Sequence, residues 1–126
     1  IQIYTNNDTL NLLNKEIKSN KQDKQIALNK KLLSICDKKN FLYDICPINE
    51  VNFLLKLNAD INYINYNTPI ITTALKDNIN LLKFLLEKNA DINKPNINNK
   101  NLLDIDIFNK LSNDCKNIII EYKNLN

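Results

Sequence analysis

The sequence predicts an all-α solenoid of about four stacked helix pairs, and three observations predict it. The decapeptide Phe53-Leu54-Leu55-Lys56-Leu57-Asn58-Ala59-Asp60-Ile61-Asn62 returns as Phe84-Leu85-Leu86-Glu87-Lys88-Asn89-Ala90-Asp91-Ile92-Asn93, with eight of ten residues identical at an offset of 31. A copy at that period marks a repeat architecture, and stacked repeats make binding surfaces more often than active sites. Apolar residues recur at helical spacing along most of the chain. Asn-rich connectors punctuate it, so that it reads as short helices joined by turns.

Element by element, residues 1–7 have no helical period and read as a lead-in. Asp8 or Thr9 is placed to cap a helix to about Ser19, with Leu10, Leu13 and Ile17 as its stripe. The polar residues 20–24 read as a turn. A second helix over about 25–37 directs Ile26, Leu28, Leu32, Leu33, Ile35 and Cys36 inward, completing a helical hairpin. A short helix at about 40–46 uses Phe41, Leu42 and Ile45. Pro47 marks a tight turn because it cannot continue a helix interior, and Asn49 then caps a helix at 50–57 facing inward with Val51, Leu54 and Leu55.

Thr68 and Pro69 open the next pair as N-cap and first helical residue, where the missing proline N–H costs nothing. That helix runs to about Lys76, Asp77-Asn78 turn the chain, and its partner covers about 79–88. The last pair covers about 102–109 and 114–123. Its inner residues are Leu102, Leu103, Ile105, Phe108 or Leu111, Ile118, Ile119 and Ile120. The connectors at 63–66 and 94–100 are long enough for protruding hairpin-like loops.

Composition narrows the chemistry. A chain of 126 residues has room for one compact domain with a core of its own. It holds 26 Asn, 19 Ile and 17 Lys, and no Gly, Arg, His, Met or Trp. Residues with AT-rich codons are favoured throughout, which reads as genome bias. Without His there is no Ser-His or Cys-His nucleophile pair, and without Gly no phosphate-cradling loop. Without Arg there is no guanidinium clamp. Asp104 and Asp106 stand at i and i+2, on different helix faces, and read as surface or cap residues. No catalytic residue, cofactor site, metal site or small-molecule substrate is expected.

The net charge of +3 is spread in alternation with acidic residues, with no Lys run longer than two, which argues against a nucleic-acid interface. Cys36, Cys46 and Cys115 form no Cys-x-x-Cys pair and sit beside apolar residues, so they read as buried free thiols. That leans towards a reducing, cytoplasmic compartment. The chain starts at Ile1, which leaves an upstream signal or anchor open. No stretch is long and apolar enough to span a membrane.

Thr68-Pro69-Ile70, Ala74 and Asn78 through Asn93 resemble the ankyrin repeat without a gap. The family pattern is Thr-Pro-Leu-His-x-Ala, a turn, a Leu/Val-rich second helix and Gly-Ala-Asp-Val/Ile-Asn. The resemblance implies one domain over 1–126: a capping pair at about 8–37, a repeat at 38–65, the best-matching repeat at 66–98 and a capping repeat at 99–126. Where the family has His and Ala, this chain has Ile71 and Thr73, and Thr73 crowds the helix packing. Where the family closes the second helix with left-handed Gly, this chain has Asn58 and Asn89. Asn is the best substitute because its short polar side chain tolerates positive φ. The spacing of 31 is two short of the family period, and the deletion falls at 63–67. That loop should therefore be stubbier than the one at 94–100.

The resemblance also implies a function: a non-enzymatic protein-binding module, monomeric when free, that uses its loop tips and the exposed edge of each first helix. Carried onto this chain, that surface is Tyr63, Tyr66, Asn67, Leu75, Lys76, Ile97, Asn98, Lys100, Phe108 and Asn109. Tyr63 and Tyr66 are read either as loop packing or as a contact surface. Leu75, Ile97 and Phe108 either complete the core or line a shallow apolar groove. Two alternatives keep the fold: a small stand-alone inhibitor or immunity-type protein that blocks an enzyme or toxin, and the interaction arm of a larger protein.

Overall fold

The structure, a computed structural model, describes residues 6–38 and 47–125, with side chains from residue 20 onward. Its described helices are α1 (Asn6–Cys36), α2 (Ile48–Lys56), α3 (Pro69–Leu75), α4 (Ile79–Glu87), α5 (Ile105–Phe108) and α6 (Asn113–Leu125). Among the described residues the fold is all-α, with one isolated β-bridge between Asn65 and Asn67. Helix α1 packs on α2 and α3, and α4 touches α2, α3 and α6. The core runs through the stack from Leu32 and Ile35 through Val51, Ile70, Ile71, Leu81, Leu82 and Leu85 to Leu102 and Ile119, all buried.

The first expected pair is corrected: residues 8–37 do not form a helical hairpin. Helix α1 is one element of 31 residues, about 46 Å long. The polar stretch at 20–24 contains Lys and Gln, which are good helix formers, and no Gly or Pro that would stop the helix. It is a solvated turn of helix and not a break. Asp8 and Thr9 lie inside α1 and not at its cap. Ile26, expected inward, is exposed, and Leu28 and Leu33 are only half-buried. The four-pair count therefore changes. Two complete pairs are described, α3/α4 and α5/α6, with α2 packed beside the single helix α1. The expected helix at 40–46, with Cys46, lies outside the described residues, as do residues 1–5 of the lead-in.

Helix α2 starts earlier than its sequence suggests. Pro47 holds the N-cap position and its carbonyl accepts from Val51 N–H at 2.9 Å, so Asn49 is inside the helix. At α3 the sequence reading holds. Thr68 is the N-cap, its hydroxyl accepts from Ile71 N–H at 3.4 Å, and Pro69 is the first helical residue. Asn78 caps α4 in the same way, accepting from Leu81 N–H at 3.4 Å.

The helix ends share one device. Asn58 and Asn89 have φ of 74° and 64°, so the left-handed positions are filled by Asn as expected. Around each, two hydrogen bonds close the helix: Ala59 N–H to Leu54 C=O and Asn58 N–H to Leu55 C=O, both 3.0 Å. Ala90 to Leu85 and Asn89 to Leu86 repeat the pattern, also at 3.0 Å. This is the Schellman arrangement, which satisfies the orphan carbonyls of the last turn. The same pattern ends α3, with Asp77 as the left-handed residue at φ 58°. The sequence reading placed a turn there without foreseeing its hand.

Two further expectations are corrected at the last pair. Ile105 is 70% exposed and not inner, because the regular helix starts only at Ile105 and Leu102 and Ile107 already fill the core. Ile118, Ile119 and Ile120 cannot share a face at 100° per residue. Ile119 is buried, Ile118 half-buried and Ile120 exposed.

Thr73 is buried where the family has Ala, and its hydroxyl has no hydrogen-bond partner among the described residues. The neighbouring Cys36 thiol is buried too, and burial pushes its pKa from 9.0 up to about 11 against the smaller opposing pull of Thr73. Cys36 and Cys115 are both free and buried, as read from the sequence.

Candidate functional site

The candidate surface is built on two loops that precede successive helix pairs. In the first, Asn65 N–H donates to Asn67 C=O at 3.2 Å, so the chain reverses around Tyr66 alone. Tyr66 adopts φ 72°, a left-handed value that a bulky residue reaches at a cost of about 1–2 kcal/mol. In the second, Asn96 N–H donates to Lys100 C=O at 2.8 Å, and Asn99 turns at φ 61°. Asn96 also accepts from Asn98 N–H and Lys100 N–H through its side chain at 2.9 and 3.0 Å, fixing the loop from within. The first closure spans 65–67 and the second spans 96–100, so the first loop is two residues shorter. That is the stubby loop expected from the 31-residue spacing.

The loops are joined. Ile97 N–H donates to Tyr66 C=O at 2.9 Å, Asn96 Nδ2 to Asn67 Oδ1 at 2.9 Å and Asn98 Nδ2 to Tyr66 Oη at 3.3 Å. Four of the ten expected residues, Tyr66, Asn67, Ile97 and Asn98, therefore stand together. Tyr66 and Ile97 are 61% and 66% exposed, large side chains held on backbone that is tied down.

The other six are distributed along the edge. Tyr63 is half-buried and its N–H donates to Asp60 C=O at 3.1 Å, so it packs at the base of the loop and not at its tip. Leu75 is exposed at the end of α3. Lys76 Nζ lies 3.6 Å from Asp37 Oδ1 at the end of α1, and Lys100 Nζ lies 3.1 Å from Asp106 Oδ2. The Asp106 carboxylate raises the Lys100 pKa, chiefly through their hydrogen bond. Phe108 is half-buried against the core, and Lys116 Nζ lies 5.7 Å from its ring centre, while Asn109 is exposed.

Sequence reasoning missed several residues of this surface. Asn65 and Asn96 set the loop geometry, and the spacing of Asn96 from Asn98 is an Asx turn that side-chain chemistry would have flagged. Lys30, Asp37 and Thr72 face the first loop across a groove that only the packing of α1 creates. Also missed was the clip between the last two pairs. Ser112 Oγ donates to Asp77 Oδ1 at 2.6 Å and accepts from Cys115 N–H at 3.2 Å. Cys115 Sγ stands 3.4 Å from the same carboxylate. Burial is the main reason the Cys115 pKa is raised, partly offset by Ser112 and reinforced by Asp77.

Among the described residues no group of three or more His, Cys, Asp or Glu is placed to hold a metal ion. No helix among them is long and apolar enough to cross a membrane. No curated protein and no solved structure matches the chain. The family model of the ankyrin repeat matches residues 65–97, from the Tyr66 turn through α3 and α4 to Ile97. That segment holds the capped helix pair, the left-handed Asn89 closure and both paired loop positions, and over those residues the chain carries one ankyrin repeat.

Proposed function

We propose that this chain is a non-enzymatic protein-binding module whose contact face is centred on Tyr66 and Ile97. Ankyrin repeats are in general protein–protein interaction modules, and that supports the class of function. The observation that carries the face is the backbone hydrogen bond from Ile97 to Tyr66 at 2.9 Å. It sets two exposed large side chains side by side on fixed loops, so little ordering entropy remains to be lost when a partner covers them. Full burial of a side chain such as Ile97 contributes roughly 1.5–3 kcal/mol. Tyr adds a phenol for hydrogen bonding and is enriched among interface hot spots. Asn67, Asn98, Leu75, Lys76, Lys100 and Asn109 form the polar and apolar surround. Tyr63, half-buried near the first loop, and Phe108, packed against the core, complete the ten residues.

The test is site-specific photo-crosslinking in a lysate of the source organism. A benzophenone side chain at Ile97 is expected to capture a discrete protein band, and the same group at Ile26 on α1 is not. Capture at both positions, or at neither, would remove the Tyr66–Ile97 face as the contact surface.

A further inference from the structure

We infer that the groove between α1 and the Tyr66 loop is a seat for an extended acidic peptide, which takes the position of a missing loop in the inter-repeat ladder. The inference rests on the protein-binding reading above and goes further by naming a second seat, beside the Tyr66–Ile97 face, and the chemistry of its ligand.

The ladder has a direction. The later loop donates to the earlier one, from Ile97 N–H to Tyr66 C=O and from Asn96 Nδ2 to Asn67 Oδ1. One repeat further back, about 31 residues before Asn65–Asn67, the chain is the last turn of α1, which stays helical to Cys36. A helix offers no loop, so among the described residues no rung lies there. Beside it lies a groove of about 480 Å³ with Lys30 and Leu33 of α1 and Asp37 just beyond its end on one wall and Tyr66, Asn67 and Thr72 on the other.

The polar groups facing it are unevenly used. Asn67 lines the groove, and its side-chain oxygen is taken by Asn96. Among the described residues its Nδ2 donates to nothing, so the amide can pass the ladder on by donating to a peptide carbonyl. Lys30 is exposed and has no carboxylate within ion-pair distance among the described residues, whereas Lys31 lies 3.8 Å from Glu50 and Asp37 lies 3.6 Å from Lys76. The free cation at one end asks for an acidic side chain, and the paired Asp37 at the other end refuses one. Asp37 directly follows α1, and its N–H still donates to Leu33 C=O, so it stands seven residues from Lys30 at the helical rise, about 10 Å. That length holds about three residues of extended chain. Addition of such a segment beside an existing backbone edge is an established mode of peptide recognition, with main-chain bonds supplying affinity and side-chain pockets specificity.

The experiment uses the full chain, immobilised, and a displayed library of random hexapeptides, with enriched sequences resynthesised for titration. Enriched peptides are expected to carry Asp or Glu at a fixed position and to shift the amide resonances of Lys30, Leu33 and the Asn67 side chain. Lys30→Glu and Asn67→Ala are each expected to weaken binding about tenfold or more, while Ile120→Ala, at an exposed position of α6 outside the groove, leaves it unchanged. Lys30 is exposed, so its substitution leaves the fold intact even if the Asn67 variant is destabilised. The Lys30 effect should shrink in high salt, as an exposed ion pair does. Failure to enrich any peptide overturns the inference. So does enrichment of peptides that are insensitive to Lys30→Glu and map to Ile97 and Asn98, although that result leaves the protein-binding reading standing.

Discussion

The side-chain oxygen of Asn62 accepts the backbone N–H of Asp91 at 2.9 Å, and Asn29 of α1 does the same for Asp60 at 2.7 Å. The last residue of one copy, Asn62, thus holds the aspartate of the next. Within each copy, Asp60 and Asp91 also accept from the N–H two residues on, both at 2.9 Å. Asn29 is buried and accepts from Gln25 Nε2 as well, whereas the Asn62 bond is exposed. Asn62→Ala should therefore cost about 1 kcal/mol and Asn29→Ala about 1–3 kcal/mol, because the Asn29 amide is buried and its oxygen holds two donors. Urea denaturation of the two variants checks the order, and equal costs would sink this account of the ladder.

At Asn89 the backbone has φ 64°, a value glycine adopts freely and a β-branched residue resists. Asn89→Gly should leave stability unchanged or raise it slightly. Asn89→Val should cost on the order of 1–2 kcal/mol. A thermal melt in which Val equals Asn would contradict the left-handed closure.

Tyr66 carries the same backbone strain without the small side chain that makes it tolerable. Tyr66→Gly should stabilise the fold by roughly 0.5–1 kcal/mol, the strain relief being partly offset by a more disordered unfolded chain. The same substitution should abolish crosslinking from Ile97 to the partner. A stability loss in Tyr66→Gly would mean that the ring supports the loop more than the φ value burdens it.

Buried Thr73 has a hydroxyl that stands beside the Cys36 thiol but makes no well-formed hydrogen bond among the described residues. Thr73→Val keeps the shape and removes the stranded group, so it should raise stability by about 1 kcal/mol, which corresponds to a few degrees in melting temperature. A lower melting temperature for the variant would show that the hydroxyl is satisfied in solution.

Burial gives Cys36 a pKa raised from 9.0 to about 11, so the folded state holds the thiol proton to higher pH than the unfolded chain does. Between those values the unfolded chain has released the proton and the folded one has not. Stability is therefore full below pH 9, falls through the interval and levels off near 11. The loss should be roughly 2–3 kcal/mol, from the size of the shift. Cys36→Val should flatten that part of the alkaline slope, measured as the difference between paired urea titrations from pH 8 to 11. Cys115 adds a loss of the same sign that survives in the variant.

How far the sequence could be read depended on whether a feature was local. Thr68-Pro69 and the left-handed Asn58 and Asn89 were legible because cap and closure chemistry resides in a few adjacent residues. The continuity of α1 was not, since a polar stretch reads alike as a turn or as a wet face of helix. Ile105 and Ile120 were assigned inward by residue type, yet their orientation is set by where each helix starts and by 100° steps along it. At the candidate face, Tyr66 and Ile97 were legible through the family pattern. The groove beside Asn67 was not, because its second wall lies some 30 residues away and depends on α1 staying helical.

The packing order has one more consequence. Each helix leans only on near neighbours, and α4 alone links α2, α3 and α6. Stability in such a stack is a sum of local terms and interfaces, and opening proceeds from the ends. Amide protons of α3 and α4 should exchange with solvent last, and those of α6 and the exposed middle of α1 first. The face around Tyr66 and Ile97 straddles that boundary. Its first loop is anchored to the slowest-opening part of the molecule, and its second to a pair that can loosen without unfolding the rest.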